Sequence, residues 1–246
     1  MEALAAHDSE PQGRPPAPVL PGLWLFPPNR DSQGGSAWLL ETETCDLLID
    51  CPALTPAALG FLAERRRRPD GEAWIVLTGR SGHGRCRQLQ QALGWPVLVQ
   101  EQEAYLLPGV VDLRRFGEQL ELSPSLRLLW TPGPSPGASV LHWAGGGGGL
   151  FCGRLLLPLA PGRLGPLRER RCFHWPRQLR SLAELPARLP PGSPQWIASG
   201  AALGALRGEK LVDGGAALLA DLAARIRSGA LDAVADPEPA AWPGAL

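Results

Sequence analysis

Ser81, His83 and Cys86 fall close together in the stretch Trp74–Leu89, Trp-Ile-Val-Leu-Thr-Gly-Arg-Ser-Gly-His-Gly-Arg-Cys-Arg-Gln-Leu. A cysteine beside a histidine is the pairing that nucleophilic catalysis uses, the imidazole acting as base for the thiol. Cys and His together are also metal ligands, so a rebuilt metal site is a second chemistry open to them. The elements that position them are legible. Trp74–Leu77 is an apolar run of strand length, Gly79–Gly84 is a turn rich in Gly and Ser, and Leu89 and Leu93 repeat at helical spacing. A strand feeding a Gly-rich loop and then a helix lets backbone approach a ligand, and the helix N-terminus favours negative charge. The plainer roles carry more weight. Cys86 falls on the helix and Cys152 in a later strand, where single cysteines are small core residues, and His83 suits a loop residue bonded to backbone. His142 and His174 stand beside Trp143 and Trp175 and suggest packing or partial exposure, while Ser135 and Ser139 suit turn hydrogen bonds.

A chain of 246 residues is long enough to bury a real core in one large domain. It carries 24 basic and 24 acidic side chains, which argues against electrostatically driven binding of nucleic acid or an anionic membrane. High Pro (27) and Gly (30) contents call for many turns. Five cysteines without a CxxC pair do not form a disulfide framework and suit a reducing compartment. Residues 1–21 lack an apolar targeting segment and read as a disordered leader. No run of about 18 apolar residues calls for a membrane helix, so the expectation is a cytoplasmic protein.

Leu23–Phe26 starts a strand, and Ser36–Glu41 and Cys45–Asp50 read as a strand pair. Thr55 caps a helix with Pro56 at its first position and Leu59, Leu62 and Ala63 as its buried stripe, ending in the solvated run Arg65–Arg68. Pro96–Gln100 is a strand and Gln102–Leu107 a short helix. Gln119–Leu122, Leu126–Thr131, Val140–Ala144 and Leu150–Leu155 are strands, the last two joined by the five-glycine run Gly145–Gly149. That run lies between strands and lacks the donor geometry of a phosphate loop. Pro158–Pro176 reads as irregular, Leu179–Leu189 as a helix interrupted at Pro186, Trp196–Ser199 as a strand, and Leu211 or Asp213 to Ile226 as an amphipathic helix. Residues 232–246 read as a frayed tail. Two strand-rich blocks, each followed by helices, predict one domain over residues 22–231 with two sheets face to face and helices outside.

Several segments resemble the metallo-β-lactamase fold family. Thr131-Pro132-Gly133-Pro134-Ser135-Pro136-Gly137-Ala138-Ser139 resembles its Thr-Pro-Gly-His-Ser-Pro-Gly-Ser turn and is the most specific match. Gly34-Gly35-Ser36-Ala37-Trp38-Leu39-Leu40 resembles its early hairpin, Leu47-Leu48-Ile49-Asp50-Cys51 its strand ending in Ile-Asp-x-Gly, and Leu150-Phe151-Cys152-Gly153-Arg154 its Leu-Phe-x-Gly-Asp. The stretch from Trp74 resembles the strand followed by Thr-His-x-His-x-Asp-His. The resemblance spans roughly Gly22–Arg227 and implies a four-layered αββα sandwich. It also implies hydrolysis by a metal-activated water on zinc or iron held by His and Asp. This chain departs from that set. Gly79 and Ser81 replace the first two histidines, His83 the aspartate, Gly84 the third histidine, Pro134 the next one and Arg154 the bridging aspartate. Ala201 is the position matched to the last histidine. A guanidinium at Arg154 puts a fixed positive charge where a cation would sit.

The functional expectation is a metallo-β-lactamase-like protein that has lost its metal site, with no cofactor, binding an unknown protein partner or small ligand as a non-catalytic or accessory protein. The alternatives are an ester or thioester hydrolase with a rebuilt site, and a structural subunit of an oligomer, for which the nine tryptophans would supply anchors. Asp50, Cys86 and Cys152 are the expected pocket-lining residues. Arg154 is expected to reach inward and pair with Asp50 or with carbonyls of the Gly79–Gly84 loop.

Overall fold

The computed structural model of the chain describes residues 12–65, 72–168 and 171–231. β1 (Ala17–Leu20), β2 (Leu23–Leu25), β3 (Trp38–Glu41) and β4 (Cys45–Ile49) form an antiparallel meander. Three parallel strands continue it, β5 (Glu72–Leu77), β6 (Val97–Gln100) and β7 (Leu113–Phe116), giving a seven-stranded sheet in chain order. α1 (Pro56–Arg65) and α2 (Cys86–Leu93) link the parallel strands on one face.

The second sheet takes β8 (Gln119–Ser123), β9 (Leu126–Trp130), β10 (Ser139–Trp143) and β11 (Gly149–Phe151) in antiparallel order. After a small hairpin of β12 (Leu157–Ala160) and β13 (Arg163–Gly165) and helix α3 (Trp175–Arg188), β14 (Trp196–Ala198) adds parallel to β11. β15 (Val212–Asp213) closes the edge and leads into α4 (Gly215–Arg227).

The layers follow from the period-2 alternation of strand side chains. In β4, Leu47 and Ile49 enter the core between the sheets with Trp38, Leu128, Leu141 and Phe151, whereas Leu48 points the other way, to Leu62 of α1 and Leu89 of α2. In the second sheet Leu129, Val140, Leu150 and Ile197 face Leu182 and Leu185 of α3 and Leu219 and Leu222 of α4. Strands buried on both faces between helices make the four-layered αββα sandwich.

Some elements differ from expectation. The expected leader ends sooner, because Ala17–Leu20 pairs with β2. Its Pro18 is tolerated because β1 is an edge strand, where a missing N–H breaks no ladder. Leu113–Phe116 is a strand although Arg114 and Arg115 gave it no apolar pattern, and here too the strand is an edge. Arg114 lays its guanidinium over Trp74 at 4.6 Å. The stretch expected to be irregular holds the β12–β13 hairpin, and α3 runs unbroken through Pro186. Thr55 does cap α1, its Oγ1 accepting from the N–H of Ala58 at 3.3 Å, but Ala58 and Leu62 are the residues it buries, and Ala63 is exposed. Arg65 is not solvated. It pairs with Glu41 at 3.1 Å and stacks on Phe61 at 3.5 Å. Residues 66–68 of that arginine run, residues 1–11 of the expected leader and the expected tail 232–246 lie outside the described residues.

Candidate functional site

The two sheets meet at one end, where the loops after β5 and before β10 touch. The N–H of Ser139 donates to the carbonyl of Thr78 at 2.8 Å, and the N–H of Arg80 to Ser135 Oγ at 3.4 Å. Asp50 anchors this junction from below. It follows β4 with φ +61, its Oδ1 accepts from the N–H of Thr78 at 2.8 Å, and its Oδ2 from the Thr78 hydroxyl at 2.7 Å. Two glycines are required by these contacts. A Cβ at Gly82 would stand 2.0 Å from Asp50 Oδ1, and one at Gly153, where φ is +52, would stand 2.4 Å from Thr78 Oγ1. Burial pushes the Asp50 carboxyl up to about 6, against the opposing hydrogen bonds from Thr78 and the charge of Arg154.

Above Thr78 a cavity of about 360 Å³ opens. Of the expected site positions, Gly79, Ser81, Pro134, Arg154 and Cys152 line it. Arg80, Arg171, Ser135, Ser139 and Gln33 line it as well. The other expected positions lie around it. Asp50 sits behind Thr78, and Ala201 is buried beside Ser199, whose hydroxyl bonds its carbonyl at 3.1 Å. Cys86 packs in the helix-side core with Cys51 and does not line the cavity. Gly84 approaches the same Cys51, where a Cβ would come within 2.9 Å.

His83 turns to a partner that the sequence did not suggest. Its Nε2 lies 4.0 Å from Oε2 of Glu103, a carboxylate with no exposure at all. Arg80 Nε stands 3.6 Å from the same oxygen, and Glu103 Oε1 accepts from the N–H of Gly137 at 3.0 Å. Glu103 thereby ties the short helical turn Glu101–Leu106 to the Pro134–Gly137 turn. Glu103 sits in the expected short helix Gln102–Leu107, among Gln and Glu residues, and nothing in that pattern signals its burial. Burial lowers the His83 imidazole to about 4, partly offset by the Glu103 charge and reinforced by Arg80. The ring is neutral at pH 7.

Two thiols near the site, Cys152 and Cys51, are poor nucleophiles. Burial pushes Cys152 up to about 12, and its Sγ lies 3.4 Å from the carbonyl of Leu156. Cys51 is pushed well above the usual thiol range by its hydrogen bond with Cys86 and by burial. Nucleophilic attack needs the thiolate, so neither supplies it near neutral pH. His142 packs, with Nε2 2.7 Å from Ser193 Oγ, and His174 caps α3, its Nδ1 accepting from the N–H of Arg177 at 3.1 Å.

Arg154 is half-buried at the cavity wall. Its Nη2 donates to the carbonyls of Ser32 at 3.2 Å and Gln33 at 2.7 Å, on the loop between β2 and β3 and not on the Gly79–Gly84 loop. That corrects the expected acceptor. The expected loop is itself closed, with Gly82 bonding Gly79 and Cys51, whereas the turn at residues 29–35 presents carbonyls. Arg154 still acts on Asp50 through its charge.

The two-sheet architecture with loops converging at one end recurs in solved structures. The DIM-1 metallo-beta-lactamase superposes with a TM-score of 0.59 at 14% identity, over 89% of this chain and 98% of that one. The chain has the metallo-β-lactamase fold. The BLEG-1 B3 metallo-beta-lactamase superposes at 0.55 with 17% identity, over 81% and 96% of the two chains. An archaeal metallo-beta-lactamase superfamily protein from Sulfolobus tokodaii does so at 0.52 with 15% identity, over 83% and 85%. The sequence matches no protein-family model and no curated protein. The metallo-β-lactamase fold implies zinc or iron. Among the described residues no three His, Cys, Asp or Glu side chains gather where they could hold a metal. The His83 imidazole lies outside the cavity lining with Nε2 4.0 Å from Glu103, and a guanidinium that does not deprotonate lines the cavity. Among the described residues no helix is long and apolar enough to cross a membrane.

Proposed function

We propose that this protein is a non-catalytic member of the metallo-β-lactamase fold, a binding or accessory protein that takes a small ligand in the cavity between its two sheets. The observation that carries this reading is Arg154. It occupies the strand-end position that the sequence matched to a bridging aspartate, it lines the cavity, and its guanidinium is anchored to the carbonyls of Ser32 and Gln33. A guanidinium built into the wall does not deprotonate and opposes a metal ion at that position. The raised thiols at Cys51 and Cys152 also argue against either as a nucleophile at neutral pH. An oligomer built on tryptophan anchors gains little support, since none of the described tryptophans is exposed.

The test is a hydrolysis screen with ester, thioester and β-lactam chromogenic substrates. It is run on protein incubated with zinc or iron(II) and on its Arg154→Gln and His83→Gln variants. The expected result is no turnover above the substrate blank. Turnover by the wild type that either variant abolishes would establish a rebuilt hydrolase site instead.

A further inference from the structure

We propose that Ser193 is an acyl-acceptor site, its hydroxyl activated by His142 to take the acyl group of an activated ester. Neither residue lines the cavity, and the proposal does not rest on the binding function given to it.

Ser193 Oγ and His142 Nε2 lie 2.7 Å apart, a separation at which an imidazole can take the proton of a hydroxyl nucleophile. The fold fixes both partners. His142 stands in β10, opposite Arg127 of β9 and Leu150 of β11, and is 3% exposed. Ser193 sits half-buried on the loop between α3 and β14, its N–H donating to the carbonyl of Pro190 at 3.0 Å. Burial first, and the charge of Arg127 second, hold the imidazole below its ordinary range. It is therefore neutral at pH 7, and one ring nitrogen carries a lone pair. With Nε2 as that nitrogen, the Ser193 hydroxyl donates to it.

The five-glycine run turns beside the same hydroxyl. A Cβ at Gly148, where φ is +91, would stand 2.9 Å from Ser193 Oγ, so glycine is what leaves that hydroxyl clear. Among the described residues the N–H groups of Gly146 and Gly147 donate to nothing. Backbone donors of this kind can take up the charge that develops on a carbonyl oxygen under attack. In the reaction Ser193 Oγ bonds to the acyl carbon while its proton passes to His142 Nε2. The bond to the leaving phenolate then breaks, and the phenolate takes that proton. The products are an ester on Ser193 and a free phenol. Because His142 is almost wholly covered, an acyl group on Ser193 shuts it off from the water that deacylation needs, and the ester stays.

The test incubates the full chain with p-nitrophenyl acetate and follows nitrophenolate release, intact mass and peptide maps. The expected result is one acetyl group per chain, on Ser193, formed about a hundred-fold or more faster than on exposed Ser228 in the same digest. Ser193→Ala should abolish it, and His142→Gln should slow it about a hundred-fold or more. Arg154→Gln and His83→Gln should leave it unchanged, so this site and the cavity reading fail separately. Acetyl groups confined to Lys210 and the N-terminal amine overturn the proposal, as does a Ser193 rate no greater than that of Ser228. An unchanged rate in folded His142→Gln overturns it too; where that variant does not fold, the comparison of the two serines in the wild type decides. Nitrophenolate release that continues past one equivalent and is lost in Ser193→Ala would overturn the lasting ester, and with it the non-catalytic reading.

Discussion

His83 and Asp50 pull the stability of this protein in opposite directions as pH falls, and substituting either one exposes the other. Folded His83 titrates at about 4 against an ordinary 6.5, because burial dominates over the attraction of Glu103. Between those values the unfolded chain binds a proton that the folded chain does not, so stability is full above 6.5 and is lost as pH falls towards 4. From pH 7.5 to 4.5 this amounts to roughly 2–3 kcal/mol. Asp50 behaves oppositely. Its folded value of about 6 exceeds an ordinary 3.8, so the folded chain binds the proton first. Its contribution is full below 3.8 and is lost as pH rises through 6, a gain on acidification of about 2 kcal/mol over the same range. In the wild type the two nearly cancel. His83→Gln should therefore make the protein gain about 2 kcal/mol relative to wild type on going from pH 7.5 to 4.5, and Asp50→Asn should make it lose about as much. Urea denaturation at the two pH values, followed by tryptophan fluorescence, reads both. A pH dependence of His83→Gln within about 0.5 kcal/mol of wild type would refute the burial argument for His83.

Arg154→Ala should cost about 1–3 kcal/mol in a urea melt, because it removes charge-assisted bonds to two neutral carbonyls from a half-buried side chain. A change below about 0.5 kcal/mol would show the side chain in solvent. Gly82→Ala should destabilise by at least 1–3 kcal/mol, roughly the cost of overpacking, since its Cβ would overlap the Asp50 carboxylate; a thermal melt matching wild type would contradict that packing. Arg65→Ala should cost about 1–2 kcal/mol through the lost Glu41 pair and the stacking on Phe61 and Trp24, and an unchanged melt would return Arg65 to the solvated role.

The sandwich was legible because its central strands are buried on both faces and read as apolar runs, as in Trp74–Leu77 and Leu47–Ile49. The edges were not. Ala17–Leu20 carries Pro18 and Leu113–Phe116 carries Arg114 and Arg115, residues that suit an edge, and a sequence does not announce which strand will be last. The site was half legible. Gly79, Ser81, Pro134, Arg154 and Cys152 were singled out and do share the cavity wall, since they sit on loops and strand ends that the fold brings together. Glu103 was missed because nothing local distinguishes a buried carboxylate from a surface one. Arg171 was missed because it comes from a stretch with no periodicity. The acceptors of Arg154 were missed because backbone carbonyls leave no trace in side-chain identity.

The claim that the chain keeps the fold without a metal centre is tested most directly by elemental analysis of protein dialysed against zinc, iron(II) and manganese(II) and then freed of excess ion. The account predicts content far below one ion per chain, unchanged in His83→Gln, because one imidazole and a guanidinium at the wall do not make three ligands. Near one ion per chain, lost in His83→Gln, would contradict it.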